Sequence, residues 1–484
     1  MISKSFLKSS VIFTIGGALP MVASIILLPF YTNLLAENQY SQVLFYISVS
    51  LLFQILFSFS LDSYFGIEYT RLNEHPDKQK NFIGTVSVML LIIGLGLLII
   101  TALSGDYFFH RIFKPELNIN FWPYGFYSIL TAFFNSYFKA STVSLIYLKK
   151  ARLFLFVNIV NFIATVAISA GGLYIFPNSI IGPIYGRLLS GVLIFLLAQF
   201  IFSSHGRLLL DRSFLNEIYK FCTPYLVFAL SAWILAQIDK FILQEYVQLV
   251  DLNAYDLLTK CFFGIEFVQN SLSAIIFPKL YEIWARNKDN TTTKESNRYF
   301  NVFTAINILQ LILFCLFIPV IYHVFIKKEG FYRAEAYIGI LASGYALRSI
   351  LNFYVSTILF SKKIKVLLQI FGTSAIIQIG ITFFAVKFFG IMGAIYGGLL
   401  IKIIQVPLSM LFTRKVFKYD YNYFKIIVIP FLYILVNTVQ YIFWPSYNMY
   451  LYIVQLILFT LIFYLIFRNE IRIVLKQFTI KKSK

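Results

Sequence analysis

The sequence predicts an all-α, polytopic integral membrane protein with about fourteen transmembrane helices, and three observations lead there. Of 484 residues, 59% are hydrophobic and 13% charged, whereas soluble domains carry about 25% charged residues. Mean hydropathy is +0.77. Apolar runs near twenty residues recur along the whole chain, the length a helix needs to cross a hydrocarbon core. They lack the alternation of a membrane barrel strand, which leaves helix as the spanning state.

Six spans fall in the first half, at 10–34, 41–63, 82–103, 121–146, 153–176 and 182–202. Eight follow at 221–243, 254–278, 300–322, 335–360, 366–388, 391–412, 424–444 and 448–467. Two lysines precede the first span, but no small-residue cleavage site follows it, so it reads as retained. Of the 41 Lys and Arg residues, 29 lie at the N-terminus, in the even-to-odd loops and in the C-terminal tail, against 5 in the opposite loops. Positive charge marks the cytoplasmic side, so both termini are expected in the cytoplasm. The net charge of +20 is then topological, and no nucleic-acid partner is expected. Trp122, Trp284 and Trp444 lie at or just beyond span ends, as interfacial anchors do.

The longest loop, 279–298, is too short for a catalytic domain. The four histidines, His75, His110, His205 and His323, lie in loops or at span ends without metal or acid–base spacing, so neither catalysis nor a metal is expected. Cys222, Cys261 and Cys315 all sit in apolar runs, which excludes a disulfide framework.

The chain also repeats. The sixth span opens with GPIYGRLL (Gly182 to Leu189) and the twelfth with GAIYGGLL (Gly393 to Leu400), six identities in eight at an offset of 211. The basic loops Lys149-Lys150-Ala151-Arg152 and Lys362-Lys363-Ile364-Lys365 match at an offset of 213. Six spans is an even number, so the copies share an orientation, as in two parallel lobes that rock about a cavity. The expected organisation is a six-helix lobe at 1–212, a second at 213–418, and two further helices with a basic tail at 419–484. Gly182, Gly186, Gly393 and Gly397 are expected to be helix-packing sites.

On the run from Ile12 to Tyr40 with Pro20 and Pro29, the stretch TPYLVFALSAWILAQIDKFIL (Thr223 to Leu243) and the GAIYGGLL segment, the chain resembles Wzx-type flippases. These are O-antigen and polysaccharide repeat-unit flippases of the multidrug, oligosaccharidyl-lipid and polysaccharide exporter superfamily. The resemblance implies translocation of an undecaprenyl-diphosphate-linked oligosaccharide across the bacterial inner membrane by alternating access. It implies no cofactor, coupling to H+ or Na+, and partnership with a polysaccharide polymerase and a chain-length regulator. The lipid II flippases of the same superfamily carry Arg and Asp in their first helix, whereas Ile12 to Leu34 is uncharged here, which argues against lipid II as cargo.

Seven cations remain inside spans: Lys139, Arg187, Lys240, Lys260, Arg348, Lys387 and Lys402. Each costs up to about 3 kcal/mol at the membrane centre. Arg187, Lys240 and Lys387 lie near outer span ends and are expected to snorkel. Lys139, Arg348 and Lys402 are deeper. Ser128, Thr131, Asn135, Lys139 and Thr142 form one polar stripe, and Tyr345, Arg348, Asn352 and Ser356 form another; the repeat maps Asn135 onto Arg348 and Lys139 onto Asn352. The stripes either hold the bundle together or present cations to a diphosphate in a cavity. Substrate-binding candidates are Lys139, Asn135, Arg348, Asn352, Lys260, Lys402 and Trp233, whose ring either packs or stacks on a sugar.

The candidates for ion coupling are Glu266, Asp239 and Asp62. Glu266 is central and has no evident mate, since Lys260 at a spacing of six lies on another face. Asp239 beside Lys240 matches the acidic–basic pair that the resemblance implies at the end of the seventh span. A multidrug or other small-molecule exporter of the same superfamily is the alternative, though such exporters usually lack spans 424–444 and 448–467. A membrane-embedded polymerase or ligase is a third reading, against which stands the missing long outer loop.

Overall fold

A computed structural model describes residues 4–286, 291–361, 363–468 and Glu470. Among these residues the regular structure is helical, and the one β contact is an isolated bridge between Thr291 and Lys418. The first half contains α1 (Lys4–Leu34), α2 (Glu37–Ser58), α3 (Leu61–Arg71), α4 (Pro76–Ile112), α5 (Phe126–Tyr147), α6 (Ala151–Ile175), α7 (Ile181–His205) and α8 (Leu215–Tyr246). The second contains α9 (Leu249–Cys261), α10 (Phe263–Arg286), α11 (Lys294–Phe325), α12 (Ile338–Ala346), α13 (Arg348–Phe360), α14 (Ile364–Thr413), α15 (Ile429–Phe443) and α16 (Met449–Ile466).

The expected all-α polytopic class is the observed one. Among the described residues, twelve segments are long and apolar enough to cross a membrane. The expected fourth span is α5, whose polar stripe keeps it out of the twelve. The expected eleventh and twelfth spans both lie in the 50-residue α14, which reverses at Gly390. Gly390 has φ +55°, where a side chain would strain the backbone.

Three expected spans are broken, the tenth of them at Leu347 into α12 and α13. The second divides at Phe59 and Ser60, both with positive φ, into α2 and α3, and the eighth divides at Phe262 into α9 and α10. The breaks in the second and eighth spans each start a new helix with a carboxylate in its first turn, Asp62 in α3 and Glu266 in α10. The partial positive charge of a helix N-terminus favours an acid there.

The repeat is visible in two helical hairpins. A Cβ on Gly182 would collide with the backbone of Gly172 and Leu173, and one on Gly186 with Ser169, so α6 and α7 pack backbone to backbone. In α14 a Cβ on Gly393 would collide with the backbone of Ala385 and Val386, while Gly397 faces Ile381 and Thr382. Ser169 and Gly172 map onto Thr382 and Ala385 at an offset of 213, but Gly182 maps onto Gly393 at 211. The two-residue difference lies in the connecting turn, which is shorter in α14 and needs Gly390.

The chain divides into two compact units, Met1–Glu245 and Tyr246–Lys484. Sequence repeat and compact unit are different partitions: α8 opens the second copy of the repeat yet bonds within the first unit. Gln244 Nε2 donates to the Ile112 carbonyl at 2.8 Å, and Lys114 Nζ donates to the Glu245 carbonyl at 2.8 Å.

The first unit is cored by Phe65, Phe82, Tyr137 and Phe202, the second by Trp284, Phe300, Phe353 and Phe417. Trp284 is a correction to the anchor assignment, since it is fully buried and packs edge-on against Phe360 and Phe417. Trp122 and Trp444 are about half exposed, at 50% and 52%.

Candidate functional site

Within the first unit, α1, α2, α5, α6 and α7 enclose a cavity of about 450 Å³. The stripe on α5 opens into it through Thr131, Asn135, Lys139 and Thr142. From α6 come Asn158, Asn161 and Thr165, and from α7 Arg187 and Ser190. Among the described residues no Asp or Glu lines it. Lys139 Nζ lies 2.7 Å from Asp62 Oδ2, a carboxylate only 8% exposed. This ion pair joins α5 to the first turn of α3.

The second unit holds a counterpart. Arg348, the first residue of α13, places Nη1 2.9 Å from Glu266 Oε1 and donates through Nη2 to Asn270 Oδ1 at 3.2 Å. One turn on, Asn352 Nδ2 donates to Ser273 Oγ at 3.3 Å. The tenth-span stripe therefore bonds to one face of α10. Glu266, for which interhelical pairing is the alternative to ion coupling, has Arg348 as its mate, from a span 82 positions away in sequence. Periodicity within one helix carries no information about such a pair.

The other sequence candidates separate. Lys260 pairs with Asp256 on its own helix, Nζ to Oδ2 2.5 Å, and Asp256 is fully buried. Asp256 is a spanning carboxylate that the sequence reading missed, although the four-residue spacing to Lys260 signals it. Lys402 Nζ sits 4.6 Å from the centroid of the Tyr345 ring, within reach of a cation–π contact. Trp233 packs on Phe241 with ring centroids 5.7 Å apart, and its buried Nε1 has no hydrogen-bond partner among the described residues. Asp239 Oδ1 accepts from the Lys240 backbone N–H at 2.9 Å.

Two of the three expected snorkelling cations are corrected. Lys240 is buried and donates to Gln237 Oε1 at 3.2 Å, which turns it inward along its own helix. Arg187 lines the cavity of the first unit, because α7 presents that face to α5 and α6. Lys387 is exposed. The sequence signal for this wall was Asn158, Asn161 and Thr165, at spacings of three and four in the fifth span.

A cavity with cations, amides and hydroxyls on its walls can hold an anionic or polar group away from lipid. No family model and no curated protein sequence matches the chain. Solved structures do match in fold. A lipid II flippase, MurJ, in an inward closed conformation superposes with a TM-score of 0.71 at 14% identity, covering 94% of this chain and 99% of that one. An inward-facing multidrug resistance MATE transporter of the MOP superfamily gives 0.63 at 12% identity, over 82% and 95%. A MOP superfamily transporter from Pyrococcus furiosus gives 0.60 at 15% identity, over 85% and 95%. The chain thus has the fold shared by the lipid II flippase MurJ and the MATE transporters of the MOP superfamily.

Proposed function

We propose that the chain is a transporter that carries an undecaprenyl-diphosphate-linked oligosaccharide, such as an O-antigen or capsule repeat unit, across the bacterial inner membrane by alternating access. The observation that carries this reading is the first unit's cavity, which has Lys139 and Arg187 on its walls and no carboxylate among the described residues that line it. Such a lining suits an anionic headgroup, since Arg and Lys donors match phosphate oxygens. Coverage of 94% of the chain by the flippase fold, against 82% by the inward-facing MATE fold, favours a lipid-linked cargo over a small drug. The uncharged Ile12 to Leu34 segment favours a cargo other than lipid II. In this reading both termini are cytoplasmic, and a polymerase and a chain-length regulator act on the delivered cargo.

Glu266 and Asp62 are the coupling carboxylates of this reading, with Asp239 a third candidate. Each of the first two neutralises a cation on a polar stripe of its own unit, so protonation of the acid, or Na+ bound to it, would free the charge of that cation. A shift of a few kcal/mol suffices to bias two transporter states. Membrane lipids from a deletion strain should accumulate undecaprenyl-diphosphate repeat units on the cytoplasmic face. An unchanged lipid-linked pool with normal surface glycan would reject this cargo. Glu266→Gln in proteoliposomes should bind cargo but lose its response to an imposed ion gradient.

A further inference from the structure

We infer that the cavity of the first unit is a binding site for a phosphate-type oxyanion, and that Arg187 is the residue that holds it. As a headgroup site, it rests on the proposed function; as an oxyanion site, it stands on the geometry below.

Charge balance comes first. Lys139 is already compensated by Asp62, whose carboxylate is not part of the lining. Arg187 adds a further positive charge from α7, and the lining contains no acid to balance it. Its Nε is buried with no hydrogen-bond partner among the described residues. A guanidinium cannot shed its proton, so it keeps its charge and its need for acceptors.

Packing does not explain the residue. The repeat places Gly398 at the position of Arg187, and a Cβ on Gly398 would meet open space. One copy of the hairpin forms without any side chain there, so the arginine of the other copy is an addition to the scaffold.

Hydroxyl and amide groups of α6 and α7 stand beside Arg187 in the lining. Ser190 Oγ donates to the Arg187 carbonyl at 3.1 Å, and Thr165 Oγ1 lies 3.2 Å from both Ser190 Oγ and Asn161 Oδ1. Asn161, in the same lining, carries two amide N–H donors. A fork of guanidinium donors with amide donors beside it matches the several oxygens of a phosphate or diphosphate. The volume of about 450 Å³ admits such a group.

The test uses the full-length protein in nanodiscs and titrates inorganic pyrophosphate and, separately, undecaprenyl diphosphate, at fixed ionic strength. Wild type should bind, Arg187→Gln should bind at least about tenfold more weakly, and Arg187→Lys should fall between. Lys387→Gln, at an exposed position outside the cavity, should match wild type. Should Arg187→Gln fail to fold, Asn161→Asp brings a negative charge into the same cavity and should weaken binding comparably.

Binding of both probes supports a site that reads the phosphate group alone, and binding of undecaprenyl diphosphate only supports a headgroup site. No binding by wild type, or affinities of Arg187→Gln and Asn161→Asp within twofold of wild type, overturns the site. Arg187-dependent pyrophosphate binding with an unchanged lipid-linked pool in the deletion strain keeps the site and rejects the cargo. An altered pool with Arg187-independent binding does the reverse.

Discussion

Arg348 and Glu266 form an ion pair, Nη1 to Oε1 2.9 Å, between the first residue of α13 and the first turn of α10. Lys139 and Asp62 form the corresponding contact in the other unit, between α5 and the first turn of α3. In both units, a break in the second span of the repeat starts a helix whose acid meets the cation of the fourth span.

These pairs should behave as coupled units. Glu266→Gln or Arg348→Ala alone leaves one charge uncompensated and should cost about 1–3 kcal/mol, less than a fully buried pair because both partners are about 30% exposed. The double substitution should cost less than the sum of the singles, a coupling of at least about 0.5 kcal/mol, read from chemical unfolding in detergent. Strict additivity would mean that the contact carries no energy.

The hairpin glycines should divide by their surroundings. Gly393→Ala forces a Cβ into the backbone of Ala385 and should destabilise by about 1–3 kcal/mol, with lower yield and a lower Tm. Gly398→Ala and Gly171→Ala meet open space and should be neutral or slightly stabilising. Equal Tm values for all three would contradict the close backbone approach.

Orientation can be read with thiols, because Cys222 and Cys315 are buried and give little background. Cysteines replacing the exposed Lys149 and Glu329 should label from opposite faces, Lys149→Cys only after inner-membrane permeabilisation and Glu329→Cys in intact spheroplasts. The reverse pattern at both would invert the orientation.

The segment after α16 should be held by a pH-dependent contact. Glu470 Oε1 lies 2.7 Å from Lys425 Nζ and accepts from Asn301 Nδ2 at 2.9 Å. Burial pushes the Glu470 carboxyl up, but the Lys425 ammonium and the Asn301 amide outweigh it and hold the group below the usual range. The ionised form is the stabilising one, so the contribution is present above the ordinary glutamate value and is lost as pH falls through the lowered one. Glu470→Gln should cost about 1–2 kcal/mol of local stability at neutral pH, because it leaves the half-buried Lys425 without its counter-charge. Limited proteolysis should cut after α16 faster in this variant, and the difference from wild type should vanish in acid.

The all-α membrane class and the duplication were legible in the letters alone, because bilayer thickness turns helix length into a pattern of apolar runs and a copied segment keeps its letters. The sequence also held the two polar stripes and, unread, the Asp256–Lys260 pair, since residues three or four apart share a helix face. Tertiary structure alone decided which charges meet. Glu266 finds Arg348, Lys139 finds Asp62, and Arg187 turns into a cavity instead of snorkelling. Those outcomes depend on how one helix is rotated against another, on the break at Phe262 and on the break at Phe59–Ser60, which no adjacent glycine or proline announces. Charges far apart in sequence are brought together by packing, and hydropathy carries no record of rotation.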